Sequence, residues 1–113
     1  MAPTQKWLDR LEQIVREDPL AGSLSNTELA QRIAISERHL IRQVKQATGL
    51  SPQKYIRKHR LQLARQHLEK GRCKTVREAA LAIGYANVSY FIQQFEKEFG
   101  QKPLKTLRDA GWR

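Results

Sequence analysis

Apolar residues recur every three to four positions along this chain and never alternate with period two, which predicts helices throughout. Trp7, Leu8, Leu11, Ile14 and Val15 form one stripe of a helix over 4–17. Asp18-Pro19 ends it, because the residue before a proline is pushed out of the helical region, and "PLAGSL" reads as a loop. Ser25 and Glu28 make an S-x-x-E capping box that opens a second helix; Thr75 and Glu78 repeat the box fifty residues on. Ser36 is the N-cap of a third helix, expected to bury Leu40, Val44, Ala47 and part of Ile41 and to stop at Gly49 in a left-handed turn. Ser51-Pro52 starts a long helix, a capping residue followed by proline at the first helical position. It runs to about residue 70 and ends at Gly71. Its expected buried side is Ile56, Leu63, Ala64 and Leu68 with Tyr55 adjoining, and Arg57, Lys58, Arg60 and Arg65 lie on its other faces. Two further helices with an aromatic core of Tyr85, Phe91, Phe95 and Phe99 end at Gly100. A short helix over 103–109 follows, with Trp112 packing back. The fold class is therefore all-α, about seven helices.

Two stretches of this pattern are copies of one another. "TELAQRIAISERHLIRQVKQATG" (27–49) and "REAALAIGYANVSYFIQQFEKEFG" (77–100) each read as a helix, a turn and a second helix. Before the turn the register is 50 residues: Ser25/Thr75, Glu28/Glu78, Ala30/Ala80, Ile33/Ile83. After it the register is 51: Ser36/Asn87, Leu40/Phe91, Val44/Phe95, Gly49/Gly100, Pro52/Pro103. The second copy thus carries a turn longer by one residue. A helix-turn-helix serves mostly to place its second helix in a DNA major groove, and two copies suggest two grooves read by one chain.

Charge sharpens that picture. The net charge is +10 and the isoelectric point about 10.3. Between residues 36 and 72 ten Lys/Arg face only Glu37 and Glu69, a balance of +8, whereas 1–24 and 75–100 each stand at −1. The positive field belongs to the first copy's second helix and the segment after it, which points to a polyanion. There, Arg38, Ile41, Arg42 and Lys45 share a stripe opposite Leu40 and Val44. An arginine at such a position can fork two hydrogen bonds to guanine and an isoleucine can pack on a thymine methyl. The second copy offers Val88, Ser89, Gln93 and Lys97 on the matching surface. Ser and Gln can read bases but add no long-range attraction, so this helix is expected to bind more weakly. The long helix of ~18 residues would span roughly 27 Å, compatible with two adjacent major grooves recurring every 34–36 Å or so.

The stretches "IAISERHLIRQVKQATGLSPQKYIRKHRLQLARQHLEKG" and "TVREAALAIGYANVSYFIQQFEKEFGQKPLKTLR" resemble the DNA-binding domain of the AraC/XylS transcription regulators over about residues 5–109. The strongest matches are Ala80, Ile83, Gly84, Tyr85, Ser89, Tyr90, Phe91, Phe95, Lys97, Gly100 and Pro103. The resemblance implies one homeodomain-like domain over 1–113 that binds promoter or operator DNA as a bacterial regulator. A first helix-turn-helix subdomain would cover about 5–50, a linker helix about 52–70, and a second subdomain about 75–109. It also implies base contacts by Arg38, Ile41 and Arg42 from the first copy and by Val88, Ser89 and Gln93 from the second. Phosphate contacts are expected from Ser36, Lys45, Lys54, Arg57 and Asn87. Position 93 is often basic in relatives that insert both helices, so Gln93 is a departure. Most members carry a separate sensing domain or receiver, and "RQVKQATGLSPQKYIRKHRLQLAR" looks more like the end of response regulators and hybrid sensors. The expectation is therefore the DNA-binding part of a longer activator, rather than a small stand-alone one, with RNA polymerase a further partner. On its own the chain is expected to be monomeric and to act in the bacterial cytoplasm at the nucleoid.

Other classes find less support. His59 and His67 are eight apart with no partner at i+4, Cys73 stands alone, and the glycines form no phosphate loop. No enzyme activity, cofactor, metal or small-molecule ligand is expected. A single cysteine excludes an internal disulfide, and no apolar run approaches the ~20 residues of a membrane span. RNA binding usually needs exposed aromatics, whereas Phe91, Phe95 and Phe99 fall at core spacing. A helical protein-interaction or architectural module with only non-specific DNA affinity is the alternative reading; it predicts no base preference.

Overall fold

The computed structural model describes residues 3–18 and 24–111; most of the expected loop at 19–24 and the expected packing of Trp112 lie outside the described residues. Among the described residues seven α-helices follow one another: α1 (Pro3–Glu17), α2 (Asn26–Arg32), α3 (Glu37–Thr48), α4 (Pro52–Glu69), α5 (Val76–Ala82), α6 (Val88–Phe99) and α7 (Pro103–Asp109). No strand occurs among the described residues, and no helix is long and apolar enough to cross a membrane. The chain divides into two compact units, 1–59 and 60–113, the division falling within α4.

In the first unit α1 buries Trp7, Leu11 and Val15, and α2 and α3 bury Leu29, Ala30, Leu40 and Val44. Polar groups tie α1 to the start of α4: the Tyr55 hydroxyl donates to Glu12 at 2.9 Å and the His59 ring lies edge-on to Tyr55 at 4.5 Å. Gln53 donates its amide to the Leu24 carbonyl at 2.9 Å and to the Asn26 side chain at 3.2 Å, closing α4 onto the entry of α2. Ala47, expected inside, is exposed. The buried line of α3 steps by four, from Leu40 through Val44 to Thr48, and Thr48 is half-buried with its hydroxyl on the Val44 carbonyl.

In the second unit Leu61, Ala64 and Leu68 of α4 pack with Ala79, Ala80, Ile83, Tyr85, Phe91, Phe95 and Leu107. Leu61 joins the buried side of α4, while Leu63 and Phe99 pack only partly against this core. Arg60, which its charge placed on an outer face, is half-buried. Its Nε donates to the Ile83 carbonyl at 2.9 Å and its guanidinium lies 4.3 Å over the Tyr85 ring. Cys73 is a small core residue, and burial pushes its thiol above the usual range.

Helix ends explain most boundaries. The Ser25 hydroxyl accepts from Glu28 N and the Glu28 carboxylate accepts from Ser25 N, a complete capping box. The second box is only half made. Thr75 accepts from Glu78 N, but the Glu78 carboxylate accepts from Lys74 N at 2.9 Å instead of Thr75 N. Thr75 is more extended (φ −133) than Ser25 (φ −73), which accompanies this shift by one residue. Gly49 (φ +77) and Gly100 (φ +74) close α3 and α6 in the left-handed region.

The candidate nucleic-acid interface

Each copy holds its second helix by the same devices. After α2 the chain turns at Ala34 (φ +60), and Ile35 N donates to the Ala30 carbonyl at 3.0 Å. After α5 it turns at Gly84 (φ +84), and Tyr85 N donates to the Ala80 carbonyl at 2.9 Å. These are the six-to-one bonds of a Schellman turn. Ala34 and Gly84 are register partners, so the first copy holds an alanine where the second has the residue suited to that backbone. The turns then diverge, because Ala86 has no counterpart before Ser36. Ser36 Oγ accepts from His39 N at 3.1 Å and Asn87 Oδ1 accepts from Tyr90 N at 3.0 Å, which starts α3 and α6. Both caps keep donors for other partners, the Ser36 hydroxyl proton and the Asn87 NH2.

Along α3, Arg38, Ile41, Arg42 and Lys45 are all exposed, Ile41 at 40%. With Glu37 and Gln46 they line one shallow, open surface along α3. The expected reading residues of the first copy therefore share one face. Among the described residues none of the three cations, Arg38, Arg42 and Lys45, forms an ion pair; the neighbouring Glu37 instead accepts from the Thr27 hydroxyl at 2.8 Å. Lys54 and Arg57 are exposed in the first two turns of α4. A surface that presents forked guanidinium donors beside an apolar side chain suits phosphate oxygens and base edges.

Along α6, Ser89 and Gln93 are exposed, but Val88 is half-buried and packs against the core of its unit. Tyr90 is 42% exposed, with its ring 6.0 Å from that of Tyr85. Sequence patterning passed over Tyr90 as a surface aromatic because it sits next to core Phe91. It also passed over the exposed cations of α7, Lys105 and Arg108, the register partners of Lys54 and Arg57. Lys105 is paired with Asp109 at 3.1 Å. The repeat register was the signal that could have found them.

The groups whose proton affinity the fold shifts lie at packing contacts, away from the exposed stripe of α3. Burial holds the His59 imidazole below its ordinary range, against the opposing pull of Glu12 at 3.6 Å. Burial and then Arg72 hold His67 low. The Tyr55 hydroxyl is raised by burial and by its bond to Glu12. Among the described residues no three His, Cys, Asp or Glu side chains are grouped to hold a metal ion.

Comparison with known proteins places this geometry in a family. Residues 29–109 match the family described as a helix-turn-helix domain. The HTH-type transcriptional activator RhaS of Escherichia fergusonii is 41% identical over 96 residues, which is 83% of this chain and 34% of the relative. The chain thus spans about a third of the length of the curated relatives it matches. Among solved structures, a probable AraC family transcriptional regulator from Rhodopseudomonas palustris is 27% identical, with TM-score 0.72, covering 93% of this chain and 97% of that one. A transcriptional regulator of the AraC-type DNA-binding-domain proteins from Chromobacterium violaceum is 25% identical, with TM-score 0.80, covering 95% of this chain and 90% of that one. With two helix-turn-helix copies flanking a long helix, this chain belongs to the AraC/XylS family of helix-turn-helix DNA-binding domains.

Proposed function

We propose that this chain is the DNA-binding part of a bacterial transcription activator and that α3 is its principal reader of double-stranded promoter or operator DNA. The observation that carries this reading is the exposed stripe of Arg38, Ile41, Arg42 and Lys45, its cations without ion pairs to described residues, on the second helix of a capped helix-turn-helix. Arg38 and Arg42 fork to guanine edges and Ile41 meets a thymine methyl. Ser36, Lys45, Lys54, Arg57 and Asn87 hold phosphates and fix the register. In α6, Val88, Ser89 and Gln93 meet bases in the adjacent major groove more weakly, since Val88 is partly committed to the core. The activator sign is supported by the name of the RhaS relative. Membership of a longer sensor or response regulator is supported by the third of a relative's length that the chain spans. The family is one of DNA-binding regulators, which is not a class of enzyme, and no catalytic step is assigned to this chain. The domain works in the cytoplasm at the nucleoid, with RNA polymerase as a further partner.

Titration of a labelled duplex over a range of salt tests the reading. Arg57→Ala should weaken all duplexes alike and lower the salt slope by roughly 0.9 for each phosphate left without its cation. An unchanged slope would remove Arg57 from the interface. Salt-insensitive binding of the unmodified chain, without base preference, would favour a protein-interaction module.

A further inference from the structure

The two copies differ at one place that DNA reading does not use. In the first unit, the space between the entry of α2 and the start of α4 is closed by Gln53, bonded to the Leu24 carbonyl and the Asn26 side chain. The register partners of Leu24, Asn26 and Gln53 are Lys74, Val76 and Leu104. Neither Val76 nor Leu104 carries a side-chain polar atom to make that closure. The second unit instead has an open groove of about 480 Å³ lined by residues 74–76, Ile92, residues 102–104 and Leu107. Leu104 stands 46% exposed in it, a large apolar side chain where the other copy has a satisfied amide. Among the described residues the lining carries two cations, Lys74 and Lys102, and no carboxylate. Neither lysine forms an ion pair with a described residue.

We propose that this groove docks an acidic polypeptide segment of a partner protein, seating apolar side chains against Ile92, Leu104 and Leu107 and carboxylates against Lys74 and Lys102. Apolar walls of this size suit side-chain anchors with a few polar groups to orient them. A DNA backbone could meet the two lysines but would leave the apolar walls against phosphates, whereas a polypeptide engages both, so a polypeptide fits better. Lysines on the lining select against basic segments and favour acidic ones. The proposal is independent of the DNA reading, because none of its residues belongs to the proposed DNA contacts.

The test is selection of a displayed library of random dodecapeptides on the whole chain, followed by amide-shift mapping of an enriched peptide. The expected result is peptides with apolar residues flanked by Asp or Glu, and shifts centred on residues 74–76, 92 and 102–107. The double variant Val76→Asn with Leu104→Gln restores the polar closure of the first copy and should weaken the peptide about tenfold or more. Duplex binding should stay unchanged. Lys102→Glu, a surface change that keeps the fold, should weaken acidic peptides selectively. The proposal is overturned if no peptide is enriched, if enriched peptides lack acids or map elsewhere, or if binding survives both variants. It is equally overturned if a DNA duplex alone shifts the same residues, which would make the groove part of the DNA surface.

Discussion

The two helix-turn-helix copies share a backbone plan and diverge on their surfaces. Both begin with a hydroxyl cap, turn through a left-handed residue, cap the second helix from a side-chain oxygen and stop it with a left-handed glycine. In α3 the core line is aliphatic, Leu40 and Val44, and the outer face carries two arginines and a lysine. In α6 the core line is aromatic, Phe91 and Phe95 with centroids 5.7 Å apart, and the matching outer positions are Ser89 and Gln93. The difference teaches that local signals set this motif, whereas its affinity for a polyanion is set by a few surface positions free to vary. The second copy also draws an arginine of α4 inward: Arg60 braces the α5–α6 turn through Ile83 and Tyr85.

Core truncations should have the largest effects. Phe95→Ala should lower stability by about 3–5 kcal/mol and Leu40→Ala by about 2–5 kcal/mol, read by chemical denaturation. Equal, small losses below about 1 kcal/mol would mean that the packing of both copies is misjudged. Next come the readers. Arg42→Ala and Arg38→Ala should each cost about 1–3 kcal/mol of discrimination between a preferred duplex and a scrambled one. Ser89→Ala and Gln93→Ala should cost less; the reverse order would transfer the leading role to α6. Arg60→Met keeps the aliphatic stem but removes the bond to Ile83 and the stacking on Tyr85. It should lower stability by about 1–2 kcal/mol and leave α3 reading intact.

Two smaller effects carry informative signs. Ala34→Gly gives the first copy the residue that its partner has at Gly84, and should raise stability by about 0.5–1 kcal/mol. A loss would mean that the left-handed turn is not held in solution. His59 and His67 both have folded imidazoles below their ordinary value. The native state therefore binds fewer protons than the unfolded one, so this stability is present above the unfolded value of roughly 6.5 and is lost as pH falls below it. Denaturation midpoints across that range should fall toward acid, and His59→Gln should flatten the part due to His59.

What was readable beforehand was local in sequence. The caps at Ser25, Ser36 and Thr75, the stops at Gly49 and Gly100 and the proline at 52 act on their own turns, and the repeat register pointed from Ser36 to Asn87 and from Pro52 to Pro103. The rest depends on partners distant in sequence. Arg60 reads as a surface cation because its acceptor is a carbonyl 23 residues away. Leu61 joins the core and Ala47 leaves it because packing selects among positions that periodicity alone allows. Ala34 carries no sign of its positive φ, since alanine signals helix. The candidate site was legible as an exposed basic stripe, whereas the apolar groove became visible only when both copies were compared as structures.

The most direct measurement is selection of bound sequences from a random duplex pool at near-physiological salt, for the unmodified chain and for Arg42→Ala. The account predicts one strongly enriched block that depends on Arg42 and a second, weaker block that does not. No enrichment, or a dominant block indifferent to Arg42→Ala, would contradict the claim that α3 is the principal reader.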